Sequence, residues 1–155
     1  MAMNKTPILA PKPAENSSLT VYAVGTAYQL TNTAALLNFG TTDPVITITK
    51  PGTYLLLSRA ELDYNGATFA ASRTVTLKLR RTNNTAADVA NALLTVGTEI
   101  VTTVTNTFGD FALPPVIYTT VNSNDIIQLF GDVSVVPTAG SLDAVSADIV
   151  AIRLT

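Results

Sequence analysis

From residue 19 onward Thr, Val, Ile and Leu recur in apolar–polar alternation, and turn-forming residues interrupt the pattern at short intervals. Side chains of a strand point to opposite faces in turn, and β-branched residues fit a pleated, half-buried surface. Ten candidate strands follow: 19–24, 27–31, 34–38, 45–49, 53–64, 73–82, 98–107, 115–121, 125–135 and 146–154. Gly25, Gly40 to Pro44, Pro51-Gly52, Asn65-Gly66, Asn83-Asn84, Gly109-Asp110, Pro114-Pro115, Asn122 to Asp125 and Pro137 to Gly140 supply the turns. Many short strands at this spacing predict an all-β sandwich or barrel. One segment departs from the pattern. In 85–94 Val89, Leu93 and Leu94 stand at helical spacing behind Thr85, which predicts a helical turn, with a loop crossing the end of the sandwich as the alternative.

The most informative strand runs through Thr49 to Asn65, TKPGTYLLLSRAELDYN. Tyr54, Leu56, Ser58, Ala60, Leu62 and Tyr64 share one face; Leu55, Leu57, Arg59, Glu61 and Asp63 share the other. A strand with one dry face should be polar on the opposite one. Here the second face begins apolar and turns charged only at Arg59, so something is expected to cover it. The last strand, SADIVAIRLT, behaves alike: Val150, Ile152 and Leu154 form one apolar face, Ala147, Ile149 and Ala151 the other. By contrast RTVTLKLRRT sets Val75, Leu77 and Leu79 against Thr74, Thr76, Lys78 and Arg80, a core-facing strand with a solvated back. With Arg73 and Arg81 it forms the one basic cluster in the chain, read as a solvated face with a polyanion patch as the alternative.

Composition narrows function. The chain has 155 residues, 47% hydrophobic and only 13% charged, so a single domain must tile its surface with small polar residues or hide part of it in an oligomer. A net charge of −2 offers nucleic acid no concentrated basic surface. Without cysteine or histidine, the chain has no disulfide, thiolate metal site, cysteine nucleophile or imidazole catalyst. No phosphate loop or Gly-x-Ser-x-Gly elbow is present, and an enzyme is not expected. Glu61 and Asp63, two apart on one face, could share a proton or a hard cation; with Arg59 beside them an ion-pair stripe at a subunit contact is the preferred reading. No cofactor or metal ion is expected, and no run is apolar and long enough for a membrane helix.

Residues 1–18 are rich in proline and polar residues, and residues 19–155 carry the strand pattern. The opening residues lack a continuous apolar run and contain three prolines, so they are not expected to be a secretory signal. Pro7, Pro11 and Pro13 favour extended backbone around a small hydrophobic hook, Ile8-Leu9. This segment reads either as a loose tail or as an arm that docks on a neighbouring subunit or a larger assembly.

An alternating strand with Ile46 and Ile48, followed by Pro51, Gly52, Tyr54 and Leu56, resembles the Gly-x-Tyr segment of the tumour-necrosis-factor-like and complement-head jelly rolls, a superfamily with phage-encoded relatives. The order downstream is similar too: VTLKLRRTNNT, a Thr-rich strand at 98–107, then Asn124-Asp125-Ile126-Ile127-Gln128-Leu129 and a closing SADIVAIRL. The resemblance covers roughly 40–155. It implies a two-sheet antiparallel jelly-roll sandwich of about ten strands, assembled as a homotrimer whose Gly-x-Tyr and final strands face the three-fold axis. Leu55, Leu57, Ile149 and Ala151 would then meet neighbouring subunits, with Arg59 and Glu61 at the polar margin.

The expected function is therefore a structural one, a trimeric capsid decoration protein of a bacteriophage virion made in the host cytoplasm. Its arm, Pro7, Ile8, Leu9, Pro11 and Pro13, would dock on the major capsid protein or another virion protein. The alternative is a receptor- or carbohydrate-binding fibre head, with polar loops at Asn65-Gly66, Asn83-Asn84 and Asn106 to Asp110 beside Tyr64, Phe69 and Phe108.

Overall fold

A computed structural model describes residues 18–98 and 109–155. These residues form ten strands: β1 (Ser18–Gln29), β2 (Ala35–Leu36), β3 (Val45–Ile48), β4 (Gly52–Thr68), β5 (Arg73–Arg81), β6 (Ala87–Thr98), β7 (Gly109–Ala112), β8 (Val116–Thr120), β9 (Asp125–Val133) and β10 (Ala139–Arg153). Two five-stranded antiparallel sheets result. One has the order β1-β10-β4-β7, with β8 also paired to β4; the other has the order β2-β9-β5-β6, with β3 also paired to β9. β7 and β8 share one edge, β8 pairing with Gly52 to Leu56 and β7 with Arg59 to Leu62. The chain passes repeatedly from sheet to sheet, and the late strands β9 and β10 insert between early ones, which makes the sandwich a jelly roll. Fold class, sheet number and strand number agree with the sequence expectation. The expected strand at 98–107 falls almost wholly outside the described residues, as does most of the expected 1–18 arm.

The core forms where the inner faces of the two sheets meet. From β4 it takes Tyr54, Leu56, Ala60 and Leu62, from β5 Val75, Leu77 and Leu79, and from β9 Ile127, Leu129 and Val133. Each is the inward member of an alternating pair, as period two requires. Burying one such Leu or Ile stabilises the fold by about 1.5–3 kcal/mol.

β10 corrects one expectation. Ile149 and Ala151, assigned from the resemblance to a subunit contact, are both 0% exposed within the single chain and belong to its own core. The outward positions are Asp148, Val150 and Ile152, paired with Arg59, Leu57 and Leu55 of β4. Both faces of this strand are apolar, so its sequence does not reveal which face turns inward. Registry with β4 decides the matter: Ile149 faces Ser58 and Ala151 faces Leu56, on the inner side.

β6 corrects another: residues 87–98 form a strand, not a helical turn. Asn91 has φ 62°, and the β5–β6 register shifts between Lys78 and Arg80, the signature of a bulge. Val89 and Ala92 are consequently the buried positions, while Leu93 is 52% exposed. An extra residue in a strand stretches the apolar spacing from two to three, and that spacing imitates a helix.

The turn signals at Asn65-Gly66 and Gly140 lie inside strands. Gly66 (φ 62°) and Gly140 (φ 66°) face one another at a register shift where β10 twists against β4. A Cβ on Gly140 would land on the backbone oxygen of Gly66, whereas one on Gly66 would meet open space. Gly66→Ala should therefore cost only about 1–2 kcal/mol, the left-handed backbone penalty. Gly140→Ala should cost at least about 3 kcal/mol, because strain and a backbone clash add to that penalty. Urea unfolding of the two variants checks this; equal losses would contradict it.

Candidate functional site

The outer face of the β1-β10-β4-β7/β8 sheet is arranged in rows fixed by strand register. At the Gly52 end, Ser18, Ile152, Leu55 and Ile117 lie side by side across four strands; the next row holds Thr20, Val150 and Leu57. Leu55, Leu57, Val150 and Ile152 are half-buried, while Ile117 is 60% exposed. On β1 these rows end in Ser18 and Thr20, while Tyr22 and Val24, 56% and 48% exposed, flank the next two rows. Two adjoining apolar rows at the middle of an exposed sheet make a contiguous patch rather than scattered surface leucines.

A charged row borders the patch. Tyr22, Asp148, Arg59 and Ala112 are in register, and Arg59 Nε donates to Asp148 Oδ2 at 2.5 Å while Nη1 donates to Asp110 Oδ2 at 2.9 Å. The hydrogen bond and charge of Asp148, then those of Asp110, raise the Arg59 pKa, so the guanidinium stays charged. In the following row Ser146 Oγ donates to Glu61 Oε2 at 2.8 Å. The structure thus brings Leu55, Leu57, Arg59 and Glu61 onto one outer face, as the sequence suggested. It adds Asp110, Ile117, Asp148, Val150 and Ile152, which come from other strands. Pro7, Ile8, Leu9, Pro11 and Pro13 lie outside the described residues.

The basic cluster of β5 is dispersed. Arg73 is 3% exposed, with its guanidinium 3.7 Å from the Phe69 ring centroid and 4.9 Å from that of Tyr64. Lys78 bonds Asp88 at 2.9 Å, Arg80 lies over Phe130, and Arg81 donates to the Thr85 carbonyl. These are structural engagements, not a converging polyanion surface. Of the aromatic residues named for a sugar site, Phe69 is 3% exposed and packs edge-on against the partly buried Tyr64. Phe108 lies outside the described residues.

One buried polar cluster was not anticipated. Asp125, 0% exposed, accepts hydrogen bonds from Tyr118 Oη at 2.6 Å, Asn84 Nδ2 at 2.9 Å and Thr120 Oγ1, with Arg81 Nη1 at 4.0 Å. Asn83 clamps the same end by donating to the Asn124 carbonyl at 2.5 Å and accepting from Ile126 N at 2.7 Å. The cluster ties the turns after β5 and β8 together. In the sequence Asp125 had the appearance of an ordinary turn residue, since Asn84 and Arg81 come from distant positions. Burial pushes the Asp125 carboxyl up, but the hydrogen bonds from Asn84, Thr120 and Tyr118 and the charge of Arg81 outweigh it, leaving the pKa below 3.8.

No protein-family model matches the sequence, and no curated protein matches it. Solved structures do share the fold. The globular domain of zebrafish complement 1qA superimposes with a TM-score of 0.56 at 12% identity, over 91% of this chain and 98% of that one. Chains of the infectious bursal disease virus particle superimpose with a TM-score of 0.52 at 12% identity, and of its Gx strain with 0.52 at 15%. These matches cover 96% of this chain but only 36% and 37% of the viral chains, so this chain spans little more than a third of their length. At these low identities the superpositions show a shared jelly-roll fold.

A depressed carboxylate pKa stabilises the fold fully above the ordinary Asp value, and the contribution is lost as pH falls through the folded value. Stability should therefore decline as pH drops below about 3.8. Asp125→Asn should cost on the order of 3 kcal/mol at neutral pH and flatten that acid slope. Denaturant melts of both proteins across pH check this; parallel slopes would contradict it.

Proposed function

We propose that this chain is a non-catalytic structural virion protein, a homotrimeric capsid decoration protein that attaches to a bacteriophage shell. The observation that carries the reading is the apolar patch of Leu55, Leu57, Val150, Ile152 and Ile117 on the outer face of a sheet whose own core lies on the other side. In a chain with only 13% charged residues, burying this patch against identical copies removes its most adhesive surface from water. The Arg59 bridge and Glu61 then lie at the margin of the contact, where charge orients subunits rather than driving association. The likeness to chains of an icosahedral virus particle and to a complement head supports an assembly role, at the level of fold. The N-terminal hook, Pro7, Ile8, Leu9, Pro11 and Pro13, would complete attachment by docking on the major capsid protein or another virion protein. The alternative reading, a receptor- or carbohydrate-binding fibre head, would have to do without Phe69, which is 3% exposed.

Replacing Leu55 and Leu57 together by Asp should disassemble the trimer while leaving the fold intact, because both side chains point away from the core. Two carboxylates at a dry contact weaken association by roughly 3–5 kcal/mol or more. Sedimentation velocity with circular dichroism checks this; an unchanged sedimentation coefficient would contradict it. Removing residues 2–17 should abolish binding to shells and leave the trimer in place. Undiminished co-sedimentation of the truncated protein with shells would contradict the arm assignment.

A further inference from the structure

Asn65 is the one asparagine of the chain that precedes a glycine. The backbone nitrogen that follows an asparagine can attack the side-chain amide carbon and close a succinimide ring. A Cβ on the following residue crowds this approach, and glycine has none. A regular strand opposes the reaction, because its paired, extended backbone holds the two atoms apart. Reactivity at Asn65 therefore turns on how well the ladder holds there.

The ladder lapses at this point. Asn65 pairs with Ser141 and the next pair is Thr68 with Ala139, so Gly66 and Ala67 fall at a register shift without partners of their own. Gly66 has φ 62°, far from extended backbone, and the space where its Cβ would stand is empty to 4 Å. Asn65 and Gly66 are both exposed, so water reaches them. The Asn65 side chain is also unengaged, with no hydrogen bond to it among the described residues. Other asparagines are held or hindered. Asn38 Oδ1 accepts from Gly40 N at 2.8 Å, while Asn83 and Asn84 donate to Asn124 and Asp125. Asn32, Asn91 and Asn122 precede Thr, Ala and Ser, each of which sets a Cβ beside the attacking nitrogen.

We propose that Asn65 is a site of spontaneous deamidation, an ageing mark at the end of the β4–β10 ladder. Gly66 N bonds to Asn65 Cγ as the Cγ–Nδ2 bond breaks, and Nδ2 leaves as ammonia with the proton of Gly66 N. Water then opens the succinimide at one of its two carbonyls. Addition at Cγ gives aspartate on an unaltered backbone; addition at the Asn65 main-chain carbonyl gives an isoaspartyl link that runs through Cβ and Cγ. One water is consumed and one ammonia released. Either product sets a new carboxylate one row beyond Asp63 and Asp143, which already face each other across the strands. The isoaspartyl link also adds a carbon to the backbone where Gly140 packs against the carbonyl oxygens of Asn65 and Gly66. It should loosen that end of the ladder, at the opposite end of β4 from Leu55 and Leu57. The reaction needs one chain alone, so it holds or fails independently of any subunit contact.

Incubating the folded protein in mildly alkaline buffer, then digesting it for mass spectrometry, tests this. The peptide that contains Asn65 should convert from amide to acid, in aspartyl and isoaspartyl forms that separate by chromatography. Asn65→Gln should lose the conversion, and so should Gly66→Ala, whose Cβ fits the fold but crowds the nitrogen. The same protein unfolded in guanidinium chloride supplies the unrestrained rate. Conversion in the unfolded chain with none in the folded one would mean that the ladder holds Gly66, and the proposal would fall. Conversion of the folded protein beginning at another asparagine would overturn it equally. The purified isoaspartyl form should unfold at a lower urea midpoint than the unmodified protein; an equal midpoint would refute the loosening of the ladder.

Discussion

The β4–β10 ladder, from Tyr54 opposite Arg153 to Thr68 opposite Ala139, is the pairing on which the rest of the molecule depends. It joins the two longest strands in the middle of one sheet, and its register determines which apolar residues enter the core. Slipping that register by one residue would exchange the faces, turning Ile149 and Ala151 outward and Val150 and Ile152 inward. Gly66 and Gly140 fix the upper end of the ladder by allowing two backbones to approach where any Cβ on Gly140 would collide. The single-chain core and the exposed apolar rows are therefore two consequences of the same hydrogen-bonding pattern.

Much of the fold was legible because most strands are amphipathic. In β5, Val75, Leu77 and Leu79 against Thr76 and Lys78 leave no doubt about which side is inside, and the structure buries them accordingly. β4 was legible for the same reason beyond Ser58, where Arg59 and Glu61 mark the outer face. β10 was not, since alternation carries no information when both faces are apolar; only its partner strand identifies Val150 and Ile152 as the outward pair. The first half of β10 was hidden by Ser141 and Asp143, polar residues that read as a loop but pair with Asn65 and Asp63 of β4. β6 was misread because the bulge at Asn91 lengthens the apolar spacing. Asp125 escaped notice because its hydrogen-bond donors, Asn84, Tyr118 and Thr120, converge only in three dimensions.

Two kinds of interaction divide the work of the surface. At the Asp125 end, a fully buried carboxylate with several donors holds two turns together, a local device for rigidity. On the outer face of the β4–β10 sheet the balance is reversed: apolar side chains from four strands face outward, bordered by the exposed bridge from Arg59 to Asp148 and Asp110. Ion pairs of that exposed kind add little stability but orient partners well. Among the described residues Asp125 and Arg59 are engaged in structure while apolar side chains stand exposed, and it is this combination that supports the proposed role in association. That reading unites the low charge content with the fold shared by complement heads and viral particles.

The most direct test of this account is the mass of the unaltered protein in solution, measured by light scattering over a dilution series. The account predicts a single species of three times the 16.3 kDa chain, stable on dilution. A monodisperse 16.3 kDa monomer, with Leu55 and Leu57 facing water, would contradict it.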